Sequence, residues 1–340
     1  MFGLGWLRAL TDARGLLEHA HHGVPRLGEG YTTDDNARAR LYLSLLPEGA
    51  RDEGLVRTYL AFLLHMQKED GRFRNGLTLD GRFEDEGEAE DPTGRAVLAL
   101  AAAQRLPPPY AGPAREALLR ALPALEGFTS LRGRAYALLG LLALPKEPFL
   151  EAAEALGEGL LRAFREAEPA WPYPGPLTYA NHRPVEALYA YGLAFRRQEA
   201  VALARRALAF LKEHYFTPGE EGLFFDPVGN RFMARGRDKP LFDQQPIEAK
   251  CALLAHLRFG ERVLAEVAFL WFHGRNRLRA PLVDAFGPMD GLTPHGPNQN
   301  RGAEALLAYL LAWQALVQGV FPQVDEGVAL GRVFALGGRP

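Results

Sequence analysis

Residues 28–46 read GEGYTTDDNARARLYLSLL, a polar segment rich in turn-forming residues that leads directly into an apolar run. A single side-chain oxygen is enough to cap the first turn of a helix. Here two threonines, two aspartates and an asparagine stand together before the apolar run. This surplus predicts that the segment both starts a helix and presents polar side chains to a ligand.

The same pattern, a polar loop followed by a run rich in Ala and Leu, occurs five more times in the chain. These runs are apolar on nearly every side, which is typical of helices buried all round. The five further copies are EAEDPTGRAVLALAAAQRL (88–106), TSLRGRAYALLGLLAL (129–144), LTYANHRPVEALYAYGLAF (177–195), FDQQPIEAKCALLAHL (242–257) and GPNQNRGAEALLAYLLAW (296–313).

Amphipathic segments alternate with these buried runs and predict six outer helices, at 3–20, 53–67, 114–125, 147–167, 199–215 and 261–272. The buried helices should start near residues 34, 92, 131, 183, 246 and 301, so the repeat length is uneven. Uneven repeats without polar end caps favour a closed ring over an open solenoid. We therefore predict an all-α fold, an (α/α)6 toroid of six helical hairpins, in which residues 1–340 form a single domain.

Parallel inner helices would open all six of their amino-terminal ends onto one face of the ring. Unpaired backbone amides and helix dipoles at such ends favour anions and polar ligands. The long loops at 71–91, 168–182, 215–245 and 273–300 precede inner helices and should gather at this face. The stretch 222–242 contains a Gly-Asn pair that predicts a small β-hairpin there.

Composition excludes several classes of function. A net charge of −2 makes nucleic acid and anionic membranes poor partners. The single cysteine, Cys251, excludes a disulfide framework and a cysteine-rich metal centre. No apolar run reaches the roughly 18 residues of a membrane span. We expect a cytoplasmic protein without a cofactor or metal.

Arginine occurs near the first turn of five of the six buried helices, at Arg38, Arg95, Arg134, Arg183 and Arg301. A cation at this end opposes the helix dipole, so a carboxylate or a ligand should compensate for it. Asp34 with Arg38, and Asp91 with Arg95, are four residues apart and could form ordinary ion pairs within a helix. A phosphate-bearing ligand is the alternative explanation.

Carboxylates, amides, arginines and aromatic rings around one pocket suit a sugar, because hydroxyl groups need many hydrogen-bond partners and the faces of sugar rings pack on aromatic side chains. The aromatic residues in the polar loops are Tyr31, Trp171, Tyr173, Tyr179 and Phe286.

Seven motifs, in order, resemble a bacterial family of six-hairpin modules often fused to, or encoded beside, glycosyltransferases and β-mannoside phosphorylases. They span roughly residues 20–315 and are GYTTDDNARA, DGRFRN, DPTGRAVLAL, LTYANHRPVEAL, PVGNRF, FDQQPIEA and the two-part motif DGL…NQNRGAEALLAYLLA. The resemblance implies an (α/α)6 barrel akin to six-hairpin glycosidases, an oligosaccharide or glycoconjugate ligand, and a glycosyltransferase or mannoside phosphorylase as a pathway partner. The chain departs from the family after Asp91, where relatives tend to have Ser and His and this chain has Pro92-Thr93-Gly94.

Glycoside hydrolysis by a pair of carboxylates is the first functional hypothesis. Asp35 and Asp91 are the favoured catalytic residues, because each lies just before a buried helix, where desolvation or a second carboxylate would raise its pKa. Glu88 and Asp243 come next, and six-hairpin glycosidases suggest an inverting reaction by analogy. The substrate-binding candidates are Tyr31, Asp34, Asn36, Arg38, Arg95, Tyr179, Asn181, His182, Gln244, Gln245, Asp290, His295, Asn298 and Asn300.

Three other functions fit the same residues. Phosphorolysis, or action on a phosphosugar, would use the arginines to bind phosphate. Epimerisation needs an acid/base pair across the pocket, for which His182 and His295 lie in suitable loops. A glycan-binding module would bind oligosaccharide without turnover. The cluster of His19, His21 and His22 is interpreted as loop or helix-end residues.

Overall fold

The computed structural model describes residues 3–84, 90–144 and 146–320, and twelve α-helices make up most of them. The helices are α1 (Leu4–Ala9), α2 (Thr33–Leu45), α3 (Glu53–Met66), α4 (Glu90–Ala103), α5 (Pro108–Leu125), α6 (Leu131–Leu141), α7 (Phe149–Arg165), α8 (His182–Ala194), α9 (Gln198–Tyr215), α10 (Pro246–Arg258), α11 (Arg262–Leu270) and α12 (Ala303–Gln318).

The even-numbered helices form a closed inner ring. Each packs against the next in chain order, and α12 returns to contact α2. They are buried along almost their whole length, whereas α3, α5, α7, α9 and α11 pack outside them with one buried face each. The predicted closed ring of alternating inner and outer helices is confirmed. The predicted inner-helix starts agree with the structure to within about two residues.

No helix in the described part of the chain combines the length and the apolar character that a membrane crossing requires.

Helix capping accounts for only part of the polar residues at the inner-helix starts. The Thr32 side chain accepts the Asp35 N–H at 3.3 Å, and Ser130 Oγ accepts the Gly133 N–H at 3.1 Å. In contrast, α8, α10 and α12 begin without a side-chain cap bond in the described residues. Most of the surplus polar groups therefore make other contacts.

The outer helix predicted over residues 3–20 is wrong in its length, because only α1 is helical. Asp12 Oδ1 accepts the backbone N–H groups of Arg14 and Gly15 at 2.8 and 3.2 Å, and this turn lies just beyond the end of the helix. Trp6 still packs on Tyr309 of α12, with ring centroids 6.4 Å apart. The chain that follows runs as a loop across the amino-terminal face of the ring.

Short antiparallel strands occupy the connections between helices. They are β1 (Ala20–His21), β2 (Val24–Pro25), β3 (Tyr31–Thr32), β4 (Gly76–Leu77), β5 (Phe83–Glu84), β6 (Phe216–Gly219), β7 (Gly222–Phe225), β8 (Val283–Asp284), β9 (Gly287–Pro288), β10 (Gly291–Thr293) and β11 (Gly296–Asn298). Strands β3, β4 and β5 form a three-stranded sheet, and the others pair two by two.

A β-hairpin exists near the predicted position, but it turns earlier in the chain than expected. Strand β6 pairs with β7, so the turn falls before Gly222. The predicted Gly-Asn turn is instead held against a later segment, because the Gly229 N–H donates to the Pro240 carbonyl at 2.7 Å and the Asn230 N–H donates to the Asp243 carbonyl at 3.0 Å.

A close backbone approach between α4 and α6 in the inner ring depends on glycine. A Cβ added at Gly94 of α4 would lie 2.4 Å from the carbonyl oxygen of Gly133 in α6. We expect Gly94→Ala to lower the free energy of unfolding by about 1–3 kcal/mol, because backbone must move to admit the methyl group. Gly112→Ala on α5 is the matched control, since a Cβ there meets open space and alanine is favoured in a helix by about 1 kcal/mol. Urea unfolding measures both variants, and equal changes in the two would contradict the packing argument.

Candidate active site

A cavity of about 260 Å³ lies at the amino-terminal ends of α2 and α12, and we call it the mouth cavity. Five carboxylates, one arginine, one histidine and two amides surround it, so it is the polar, ligand-sized space predicted at this face. Its lining residues are Glu18, His19, Thr32, Asp34, Asp35, Arg38, Asn75, Gln245, Asp290, Gly302, Glu304 and Ala305.

Asp35 is the most buried of these carboxylates, with a side chain 4% exposed. Its Oδ1 accepts a hydrogen bond from Arg38 Nη1 at 2.5 Å, and its Oδ2 accepts one from the Thr32 hydroxyl at 3.0 Å. Arg38 Nη2 also donates to Glu304 Oε2 on α12 at 3.1 Å. Burial raises the pKa of Asp35, and the Arg38 charge opposes that rise. Arg38 therefore joins the first turns of α2 and α12 beneath the cavity.

The predicted ion pairs within single helices are largely replaced by pairs between neighbouring helices. The guanidinium of Arg95 on α4 donates to Asp34 on α2, whereas Arg38 Nη2 lies 4.0 Å from the same carboxylate. Asp91 accepts from Arg132 Nε of α6 at 2.6 Å. A helix dipole disfavours each arginine at its own helix start, and a carboxylate of the preceding inner helix compensates for it.

Glu18 was not among the sequence candidates, because it precedes the first polar loop in a segment predicted to be helical. Its backbone is held on both sides, since its N–H donates to the Gly30 carbonyl at 3.0 Å and its carbonyl accepts the Ala303 N–H at 2.9 Å. Burial and the nearby charge of Asp35 raise the pKa of Glu18 to about 7. At neutral pH a large fraction of this carboxyl group therefore keeps its proton and can donate it.

Asp290, directly before the hairpin of β10 and β11, adds a further carboxyl group to the mouth cavity. Its Oδ1 accepts the backbone N–H of Gly302 at 2.5 Å, directly before α12. Burial raises its pKa, and the charges of Glu304 and Asp35 add to the rise. The carboxylates around the cavity are thus close enough to influence one another's protonation.

Asp91 and Tyr179 lie together, but on a different side of the ring entrance from the mouth cavity. Asp91 also accepts from the Ser130 hydroxyl at 2.6 Å and from the Tyr179 hydroxyl at 3.2 Å. The Arg132 guanidinium lies 4.0 Å above the Tyr179 ring. Asp91 is therefore part of a polar cluster that connects α4, α6 and the loop before α8, and it does not line the mouth cavity in the described chain.

Four predicted binding residues are buried with hydrogen bonds inside the protein, and among the described residues none of them lines the mouth cavity. Tyr31 donates to Asp12 at 2.5 Å, and Gln244 bridges Asp226 and Trp271 at 2.8 and 2.9 Å. Asn36 binds the backbone of Leu16 and Thr32, and Asn181 binds Thr178 and Tyr215. Their amides and hydroxyls position loops, because buried polar groups need such partners.

His182 and His295 are not brought together. His182 is fully buried against Tyr215, with ring centroids 4.8 Å apart. Burial holds its pKa well below the ordinary value, so the ring is neutral. His295 is exposed at the turn between β10 and β11. The predicted histidine pair across the pocket is therefore not supported by the geometry.

The remaining candidates lie outside the mouth cavity or outside the described residues. Asp243 is exposed and accepts from Asn230 Nδ2 at 3.3 Å. Asn298 and Asn300 are half-buried in and after β11, where Asn298 Oδ1 accepts the Asn300 N–H at 3.1 Å. Glu88 falls in 85–89, outside the described residues. None of the five loop aromatic residues predicted as sugar platforms lines the mouth cavity of the described chain.

Two larger grooves are less suited to catalysis. One, of about 580 Å³, lies between α5 and α7 on the outside of the ring. The other, of about 500 Å³, lies beside Trp171. In the described chain neither groove is lined by Asp35, Asp91 or Asp243.

Solved structures of sugar-processing enzymes share this arrangement of helices. A D-mannose isomerase superposes with a TM-score of 0.69 at 9% identity, covering 93% of this chain and 95% of that chain. The chain has the (α/α)6 toroid fold. The cellobiose 2-epimerase of Bacillus thermoamylovorans gives 0.68 at 9% identity over 91% of this chain and 95% of its own. The GH76 α-mannanase of Bacteroides thetaiotaomicron gives 0.62 at 11% identity over 98% and 95%.

No protein-family model matches the sequence of the toroid, and a search of curated proteins finds no relative. At these identities the structural likeness establishes the fold alone. The six-hairpin resemblance in the sequence is confirmed at that level.

Proposed function

We propose that the toroid hydrolyses a glycosidic bond at the mouth cavity, with Glu18 as the general acid and Asp35 as the carboxylate that activates water. The observation that carries this proposal is that two different carboxyl groups line one cavity. Glu18 has a pKa of about 7, and Asp35 is hydrogen-bonded by Arg38. Two carboxyl groups whose environments separate their protonation states are the requirement for acid/base hydrolysis.

The two roles follow from the contacts. Burial raises the pKa of Asp35, and the hydrogen bonds from Arg38 and the Thr32 hydroxyl oppose this rise by stabilising the carboxylate form. Burial and the charge of Asp35 in turn raise the pKa of Glu18 to about 7, which favours its protonated form. In the reaction Glu18 would protonate the leaving oxygen as the glycosidic C–O bond breaks, while Asp35 accepts the proton of the water that attacks the sugar carbon. Exchange with solvent restores both groups.

A sugar is the substrate that fits the remaining lining. Asn75, Gln245 and Asp290 offer hydrogen-bond donors and acceptors for hydroxyl groups, and the volume of about 260 Å³ suits a ring rather than a long chain. The structural neighbours act on sugars according to their names, which supports the same substrate class here. A glycosyltransferase or mannoside phosphorylase partner and a cytoplasmic location stay predictions from the sequence.

A glycan panel tests the proposal. The protein is incubated with oligosaccharides, beginning with β-linked mannosides, with and without inorganic phosphate, and products are identified by mass spectrometry. Release of free sugar without phosphate supports hydrolysis, and the anomer seen first by NMR assigns inversion or retention. Phosphate-dependent turnover would replace hydrolysis by phosphorolysis. Calorimetric binding without product would identify a glycan-binding module.

Epimerisation or isomerisation is a second candidate, favoured by the likeness to a D-mannose isomerase and a cellobiose 2-epimerase. His19 lies beside Glu18, with Nε2 3.5 Å from Oε1, so the cavity holds a second acid/base group. Such a reaction moves a proton next to the carbonyl of a reducing sugar. Reducing sugars incubated in D2O distinguish the two proposals, because deuterium enters the sugar without bond cleavage only in epimerisation or isomerisation.

A further inference from the structure

A second, much smaller cavity lies on the axis of the ring, and we call it the axial cavity. All six inner helices contribute to its wall, which places it at the centre of the toroid. The lining residues are Ala37, Arg38, Leu41, Arg95, Leu98, Tyr136, Arg183, Lys250 and Leu311. Arg38 lines the mouth cavity as well, so the axial cavity lies beneath it.

Four cations converge on this space from four different helices, and all four are more than nine-tenths buried. Exposed fractions are 6% for Arg38, 3% for Arg95, and 2% each for Arg183 and Lys250. Apolar walls and a tyrosine ring make up the rest of the lining. Burying charges together in this way requires opposite charge nearby.

The carboxylates compensate for the arginines but not for the lysine. Arg183 pairs with Glu186 at 2.5 Å, but Glu186 is shared with Arg258 at 3.0 Å. Lys250, in contrast, forms no ion pair with a carboxylate of the described residues. Carboxyl groups outnumber cations around the mouth cavity, whereas cations but no carboxyl groups line the axial cavity of the described chain.

The three arginines have unused donors as well. In the described chain the buried Nε atoms of Arg38, Arg95 and Arg183 have no hydrogen-bond partner. These three arginines and Lys250 line the same cavity, so they bring four positive charges to its wall. Burial and the surrounding guanidinium charges depress the pKa of Lys250 to about 8, as expected for a buried ammonium group with other cations around it.

The size of the axial cavity selects the class of anion. The space open to the centre of a water-sized sphere is about 10 Å³, which is room for one particle of that size. Tetrahedral phosphate or a sugar phosphate is too large, whereas a single-atom anion fits with small side-chain adjustments. We propose that the axial cavity binds one halide ion of chloride size, with Lys250 as its principal ligand.

Crystallography with bromide tests the proposal directly. Wild-type crystals grown in sodium bromide and measured at the bromine absorption edge should show an anomalous peak between Lys250 and the three arginines. Water or no density in the axial cavity, with bromide confined to the surface, would overturn the proposal. This measurement does not depend on any substitution or on any enzymatic activity.

Thermal unfolding provides the second test. Sodium chloride should raise the Tm of the wild type above that in sodium methanesulfonate at equal ionic strength, by about 4 °C at one hundred times the Kd. Methanesulfonate carries the same charge but is too large for the cavity. Lys250→Met should abolish this halide-specific rise, and Lys212→Met, at an exposed position of α9, should retain it. A rise of equal size in Lys250→Met would exclude the lysine as the ligand.

Discussion

Replacing Glu18 by glutamine is expected to lower the rate of sugar release by about 10²–10⁴-fold, the contribution of a positioned general acid. Glutamine keeps the shape of the side chain and its anchored backbone but cannot deliver the proton. In the wild type, kcat/KM should fall as pH rises above about 7, because Glu18 loses its proton there. Steady-state rates across pH 5–9 on the substrate found with the glycan panel measure both effects.

The same substitution should make the protein more stable at alkaline pH. The pKa of Glu18 is about 7 in the folded chain against an ordinary value of 4.5. Between these two values the folded state binds more protons than the unfolded state, so stability falls as pH rises from 4.5 to 7. Glu18→Gln removes this loss, a gain on the order of 1–2 kcal/mol at pH 8 once partial exposure is discounted, and the gain should vanish near pH 4.

Glu116→Gln, at an exposed position of α5, is the matched control for both measurements. It should change neither the rate nor the pH dependence of stability. Full activity in Glu18→Gln would end the role of Glu18 as the acid. An unchanged stability profile in that variant would show that Glu18 titrates normally.

Arg38→Met is expected to cause the largest loss of stability, about 3–5 kcal/mol at pH 7. The side chain is 7% exposed and holds both Asp35 and Glu304, so its removal leaves a buried carboxylate unpaired beside other carboxylates. The loss should shrink as pH falls toward 4, because protonation removes the uncompensated charge. Urea unfolding at pH 7 and pH 4.5 measures the difference.

Two further variants test whether unpaired charge causes the loss of stability in Arg38→Met. Adding Asp35→Asn to Arg38→Met should recover part of the lost stability, since it removes the buried carboxylate that has lost its arginine partner. Arg165→Met, which breaks the exposed pair with Glu199, should change the free energy of unfolding far less than Arg38→Met does, because exposed ion pairs contribute little. A loss in Arg38→Met that is equal at both pH values would mean that packing, not charge, holds the two helices together at this point.

Much of the candidate site follows from the sequence, because helix starts can be located in it. Asp34, Asp35 and Arg38 stand in the first turn of a buried run, so their side chains had to project at the amino-terminal face. Gln245 and Asp290 precede buried runs in the same way. The sequence could not show that these residues line the cavity whereas Asn36 binds a loop. Residues one or two positions apart on a helix point in different directions, so one can face a cavity and the other a neighbouring loop.

Glu18 shows the limit of local reasoning. Nothing in its immediate sequence marks it, because its burial arises when the loop after α1 crosses the starts of α2 and α12. Its pKa depends on burial and on Asp35, seventeen residues later. Its position depends on backbone contacts to Gly30 and Ala303. The partner of Arg95 was equally hidden. The spacing of Asp91 and Arg95 suggested an ion pair within one helix, but Arg95 pairs with Asp34 of the neighbouring helix.

The sequence by itself determined the alternation of buried and amphipathic helices, the positions at which the inner helices begin, and hence the closed ring, because hydrophobic periodicity is written in consecutive residues. Only the tertiary structure decided which acids share a cavity, which arginine compensates for which carboxylate, and that four cations meet on the axis. Those relations depend on distances between residues far apart in the chain, and electrostatic energy varies steeply with distance and burial.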